Sequence, residues 1–84
     1  MVARIDGVET SRGNLRDIHW TFAEMVEYAS RDCFLRPGDI LGSGTVGGGC
    51  LLEGGSERFG WLRPGQVVEL EIEHLGVLRN TIVG

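Results

Sequence analysis

The stretch Val68-Glu69-Leu70-Glu71-Ile72-Glu73 alternates apolar and acidic residues with a period of two. This alternation predicts a β-strand with one face toward a core and the other, a row of carboxylates, toward solvent. The turn residues His74-Leu75-Gly76 follow, and residues 77–83 are expected to form the strand that returns beside the first. Glu71 and Arg79 are expected to pair across this hairpin, because opposite charges on neighbouring strands attract.

Turn signals divide the rest of the chain into further short strands. Asp6-Gly7 predicts a hairpin that pairs residues 3–5 with residues 8–11. The sequence Leu-Arg-Pro-Gly occurs at residues 35–38 and again at 62–65, and Pro-Gly is typical of a type II turn with positive φ at the glycine. Each copy is expected to lead into a strand, which after the first copy covers Asp39 to Leu41.

A helix is predicted at about residues 21–31. Thr21 and Glu24 have the spacing of a capping box, and Trp20 and Met25 have that of a hydrophobic staple. One helical face then collects the apolar residues Phe22, Met25, Val26 and Ala29. The expected fold class is therefore α+β, mostly β, with one short helix. Because one helix and a few short strands offer a thin core, we expect the chain to pack against something else.

Composition excludes several classes of protein. The chain has 84 residues, a net charge of −4 and no lysine among its eight cationic residues, so it has no lysine for a Schiff base. The acidic balance disfavours a nucleic-acid-binding module, which usually carries a basic surface. No apolar run long enough for a membrane span and no signal-peptide pattern are present, so a cytoplasmic location is expected. Cys33 and Cys50 are interpreted as buried or inert thiols, with a disulfide between them left open.

A glycine-rich loop is the most informative segment for chemistry. Nine of the fourteen glycines lie between Gly38 and Gly60, and residues 42–47 match G-x-G-x-x-G. No helix is predicted after this loop, which disfavours a dinucleotide site. Its backbone amides can approach an anion closely, and Thr45 adds a hydroxyl donor. A tight loop without a ligand fits the residues equally well, and a surface carboxylate is the simpler interpretation of Glu53.

Patterns typical of a metal site are weak. Asp17 and His19 are two residues apart but lack a nearby third ligand, and His74 is expected in a solvated turn. No nucleophile and base can be paired by spacing, so a complete active site is not visible in the sequence.

Five stretches, in the same order and spacing, resemble the C-terminal part of the fumarylacetoacetate hydrolase family. They are residues 21–30, 35–47, 49–53, 61–70 and 75–81. The resemblance implies a mixed, mostly β roll. It also implies a full-length enzyme that uses Mg²⁺, Mn²⁺ or Ca²⁺ and acts on 2-oxo acids or acylpyruvates by hydrolysis, decarboxylation or isomerisation.

The same resemblance assigns roles to three residues. Gly44 and Thr45 match the loop that holds the substrate's carboxylate, and Glu53 matches the glutamate that orients a water-activating histidine. The metal carboxylates, lysine and histidine of the family lie upstream of the matched region. No metal is therefore expected to bind this chain alone, and the chain alone is expected to be inactive.

The resemblance makes residues 1–84 the C-terminal portion of a catalytic domain. The expected partners are a small 2-oxo acid in the complete enzyme and either further copies of this chain or a separate partner chain, with no nucleic acid and no membrane. The alternative is a non-catalytic β scaffold that acts as a binding or assembly module.

Overall fold

The computed structural model describes residues 1–54 and 56–84, and in this part of the chain it has an antiparallel sheet of four strands. The spatial order of the strands is β2-β1-β3-β4. They are β1 (Val2–Ile5), β2 (Val8–Arg12), β3 (Val67–Ile72) and β4 (Gly76–Thr81). The helices are α1 (Phe22–Ala29), α2 (Leu51–Gly54) and α3 (Ser56–Phe59), and a short 3-10 helix covers Leu15–Asp17. The fold class is α+β, mostly β, as predicted.

Two hairpins from opposite ends of the chain meet in the middle of the sheet. β1 pairs with β2, and β3 pairs with β4, as the turn signals predicted. The hairpins join where β1 lies antiparallel to β3, with Ala3 opposite Leu70. Asp6 reinforces this junction, because its carboxylate accepts a hydrogen bond from the Val67 amide at 2.8 Å and its own amide donates to the Val67 carbonyl at 2.8 Å.

The sheet has one charged face and one apolar face. Residues paired across an antiparallel ladder point to the same side. One side therefore carries the glutamates and arginines of β1, β3 and β4. The other side, called the apolar face below, carries Ala3, Ile5, Val8, Val68, Leu70, Ile72 and Leu78.

The prediction that the apolar face is buried and the row of carboxylates is exposed is wrong. Leu70 of the apolar face is 49% exposed, whereas the side chain of Glu69 on the charged face is only 23% exposed. The apolar face has no covering layer in the described residues, and the carboxylates are partly shielded by arginines. Glu71 pairs with Arg4 at 2.6 Å instead of with Arg79, which lies 3.8 Å from Glu69. The register explains this difference, because it places Arg79 opposite Glu69 and brings β1 beside β3.

Helix α1 begins where the capping box places it. The Thr21 hydroxyl accepts from the Glu24 amide at 3.2 Å, and the Glu24 carboxylate accepts from the Thr21 amide at 2.8 Å. The helix ends at Ala29, two residues before the predicted end, and its apolar residues Phe22 and Val26 stay largely exposed.

Two predictions for the middle of the chain are wrong. The strand at Asp39 to Leu41 does not form, and Ile40 is 97% exposed. A strand needs a neighbour, and no described strand pairs with this segment, while the Asp39 carboxylate closes the preceding turn by accepting from the Arg36 amide at 2.8 Å. Helices α2 and α3 follow the glycine loop, where no helix was predicted.

The described residues include none that is buried. The radius of gyration is 16.1 Å, whereas a compact domain of this length has about 12 Å. The accessible surface is 7174 Å², against about 4,900 Å² for a compact monomer of this mass. The expectation of a thin core is therefore confirmed for the described residues, which leave a large surface exposed. No helix in residues 1–54 and 56–84 has the length and apolarity needed to cross a membrane.

Candidate functional site

The glycine loop, residues 42–49, is fixed against the segment that follows β2. Val46 packs directly on Gly13, where a Cβ atom would lie 2.4 Å from Val46 Cγ1. The Val46 carbonyl accepts from the Gly49 amide at 3.0 Å. Gly44 and Gly48 have φ values of +86° and +76°, a conformation that residues with a side chain rarely adopt. The glycines are thus required for the path of the loop at these two positions.

Thr45 lines a cavity of about 400 Å³ between this loop and the segment after β2. Residues 43–47 form one wall, and Arg12, Asn14 and Asp17 contribute to the other. Asn14 is held by the 3-10 helix, because its side chain accepts from the Arg16 amide at 3.0 Å. The cavity therefore brings residues 43–47 of the loop, Thr45 among them, together with polar and apolar residues from a distant part of the sequence.

The charge of Arg12 is largely compensated. Its guanidinium donates two hydrogen bonds to Glu9, from Nε at 2.9 Å and from Nη2 at 2.8 Å. These hydrogen bonds raise the pKa of Arg12 and lower that of Glu9, so both groups stay ionised. An anion in the cavity would thus gain little from the charge of Arg12.

Sequence reasoning missed the wall formed by Arg12, Gly13 and Asn14. A loop of Ser-Arg-Gly-Asn carries no pattern specific to a site. The two segments are distant in sequence, and the packing of Val46 on Gly13 brings them together in the folded chain.

Glu53 lies in α2 and is exposed, as its interpretation as a surface carboxylate predicts. Its Oε2 accepts from the Gly48 amide at 2.6 Å. It lines a smaller cavity of about 120 Å³ together with Gly48, Cys50 and Arg58. Thr45 and Glu53 therefore face different cavities, which the glycine loop separates. Neither His19 nor His74 lines either cavity.

The described residues do not fit a metal site, because no three of their His, Cys, Asp and Glu side chains cluster around one point. A divalent ion would need ligands other than these. Cys33 and Cys50 are both free and exposed in the described structure, so of the interpretation as buried or inert thiols the burial is wrong, and no disulfide joins them there.

Fold and loop define a class: a mostly β module with an open sheet, in which a glycine loop frames a cavity lined by both polar and apolar residues. The family model described as fumarylacetoacetate (FAA) hydrolase C-terminal matches residues 1–83, and the chain belongs to this family. The predicted resemblance is thereby confirmed.

Curated relatives agree with this assignment. The chain is 32% identical over 82 residues to a 2,4-didehydro-3-deoxy-L-rhamnonate hydrolase of Sphingomonas sp., which covers 98% of this chain and 28% of the relative. An uncharacterized protein of Archaeoglobus fulgidus is 32% identical over 95% of this chain and 28% of its own length. A fumarylacetoacetase of Arabidopsis thaliana is 37% identical over 60% of this chain and 14% of its own length.

The chain spans less than a third of the length of these relatives. No solved structure matches it.

Proposed function

We propose that this chain is the C-terminal part of a divalent-metal-dependent hydrolase of 2-oxo acids or acylpyruvates, and that it supplies the loop that binds the substrate's carboxylate. Family membership and the names of two relatives, both hydrolases, support the reaction class. The observation that carries the role of the loop is the position of Thr45 at the 400 Å³ cavity.

The chemistry of the loop suits a carboxylate. The Thr45 hydroxyl donates to one oxygen, and an amide of residues 43–47, the part of the loop that lines the cavity, donates to the other. Because the described residues do not fit a metal site, the Mg²⁺, Mn²⁺ or Ca²⁺ dependence is proposed only for the longer enzyme. The contribution of this chain is binding and orientation.

Replacing Thr45 tests this role. Thr45→Val keeps the shape of the side chain and removes the donor, so it should weaken the binding of pyruvate, the simplest 2-oxo acid. A hydrogen bond to a charged group contributes about 1.5–3 kcal/mol, which corresponds to a roughly 10- to 100-fold rise in Kd. The measurement is an NMR titration with pyruvate that follows the amides of Gly44 and Thr45.

Thr81→Val is the matched control, because Thr81 is an exposed threonine in β4. Equal pyruvate affinity of the Thr45→Val and Thr81→Val variants would contradict a substrate-binding role for Thr45. The melting temperatures of the two variants, measured on the same samples, separate a loss of binding from a loss of fold.

A non-catalytic binding or assembly module is the second candidate. The observation that favours it is the uncovered apolar face of the sheet. Turnover of acylpyruvates by a complex that contains this chain, and loss of that turnover with Thr45→Val, would exclude it.

A further inference from the structure

We propose that Glu53 is a positioning residue that holds the glycine loop in the shape in which Thr45 meets the substrate. This inference rests on the proposed function. It gives Glu53 a task within this chain, in addition to the orientation of a histidine that the family resemblance implies.

A short hydrogen bond carries the inference. The Gly48 amide donates to Glu53 Oε2 at 2.6 Å, and a carboxylate acceptor makes such a bond stronger than a neutral one. The donor lies in the glycine loop and the acceptor lies five residues later in α2. The side chain thereby fastens the loop to the helix that follows it.

The other anchors of the loop among the described residues both involve Val46. Val46 packs on Gly13, and the Val46 carbonyl accepts from the Gly49 amide. Gly48 lies inside that turn with a φ of +76°, a conformation accessible to a flexible glycine among many others. The hydrogen bond that the Gly48 amide donates to Glu53 selects this conformation, and its acceptor lies outside the turn.

Glu53 acts on Thr45 through the loop and not by contact. Thr45 lines the larger cavity and Glu53 the smaller one, so the two side chains do not share a ligand-accessible space. Within the described residues, Glu53 Oε1 makes no hydrogen bond. One carboxylate can therefore hold the loop with Oε2 and leave Oε1 for a donor outside the described residues.

The first test follows the loop directly. Glu53→Gln retains a carbonyl acceptor of the same length, whereas Glu53→Leu removes the acceptor and keeps a helix-forming side chain. NMR on the ¹⁵N-labelled chain should show the Gly48 amide shifted upfield and exchanging faster in Glu53→Leu, with Glu53→Gln close to the native protein. Glu57→Gln in α3 is the control and should leave this amide unchanged.

The second test follows the ligand. Pyruvate should bind about tenfold more weakly to Glu53→Leu than to the native chain, and Glu53→Gln should restore most of the affinity. If Glu53 only stabilised α2, Glu53→Gln would not restore the pyruvate affinity that Glu53→Leu loses. A Gly48 amide that is unaffected by Glu53→Leu, or equal pyruvate affinity in all three proteins, overturns the inference.

The two proposals can fail separately. If Glu53→Leu releases the Gly48 amide while Thr45→Val leaves pyruvate binding intact, the proposed function is contradicted and the hold of Glu53 on the loop is supported. If Thr45→Val abolishes binding while Glu53→Leu leaves the Gly48 amide and the affinity intact, the proposed function stands and the inference does not.

Discussion

Gly13 illustrates how one residue lets two distant segments meet. It follows β2 directly, and its missing side chain is the space that Val46 fills. Any Cβ atom there would overlap Val46 Cγ1 at 2.4 Å, a distance that real Cβ atoms do not show. The two walls of the 400 Å³ cavity can therefore be in contact at this point because Gly13 has no side chain.

Gly13→Ala should consequently open the cavity. Adding a methyl group to a packed contact costs about 1–3 kcal/mol, and the loop can relieve the overlap only by moving away. We expect a lower melting temperature and weaker pyruvate binding.

Gly42→Ala is the matched control, because its added Cβ meets nothing within 4 Å and Gly42 has no positive φ. If Gly13→Ala and Gly42→Ala behave alike, the contact between Val46 and Gly13 does not organise the cavity.

At the scale of the element, the stability of α1 depends on its first turn, because the apolar face of the helix is largely exposed. Glu24 accepts from the amide and from the hydroxyl of Thr21, each at 2.8 Å. The backbone hydrogen bond, followed by the side-chain one, lowers the pKa of Glu24. Since the folded pKa lies below the unfolded one, this stabilisation is present above the ordinary glutamate pKa of about 4.3 and is lost as pH falls through the lower folded value.

Acidification should therefore release the N-terminus of α1. We expect the Thr21 amide resonance to report a titration step at a pH below the ordinary pKa of glutamate. Glu24→Gln should remove this step, whereas Glu27→Gln, one turn later in the same helix, should retain it. A Thr21 amide that titrates identically in native protein and Glu24→Gln would show that the capping box is absent in solution.

At the scale of the whole molecule, the exposed surface is the dominant feature. The accessible area exceeds that of a compact monomer by about 2,200 Å², similar to the total area buried in a stable interface. Much of the sheet's apolar face lies in this exposed surface, and contiguous apolar patches larger than a few hundred Å² mark interaction sites. Apolar residues of α1 add to it.

We therefore predict that the isolated chain self-associates, as a dimer that covers the apolar face. Leu78→Glu should shift the dimer toward monomer, because Leu78 lies on this face and is 61% exposed. Val77→Glu is the matched control, since Val77 is the preceding residue of β4, is 55% exposed and lies on the charged face. The measurement is light scattering over a concentration series, and a 9.2 kDa species for the native chain at high concentration would contradict the prediction.

The sequence by itself determined the features that depend on neighbours along the chain. Both hairpins, the capping box at Thr21 and the positive φ at Gly38 and Gly65 follow from local turn and cap chemistry. The glycine loop was also recognisable from the sequence, because clustered glycines indicate a tightly turning backbone whatever the loop packs against.

Only the tertiary structure decided which distant groups meet. The pairing of Glu71 with Arg4 depends on β1 lying beside β3, across more than sixty residues of sequence. The packing of Val46 on Gly13 and the hydrogen bond from Gly48 to Glu53 likewise follow from the three-dimensional path of the loop. The exposure of the apolar face and the missing strand at Asp39 to Leu41 have the same physical reason. The sequence pattern indicates which residues prefer burial or an extended backbone, but burial and strand pairing both require a partner surface. The described part of this chain does not provide that surface.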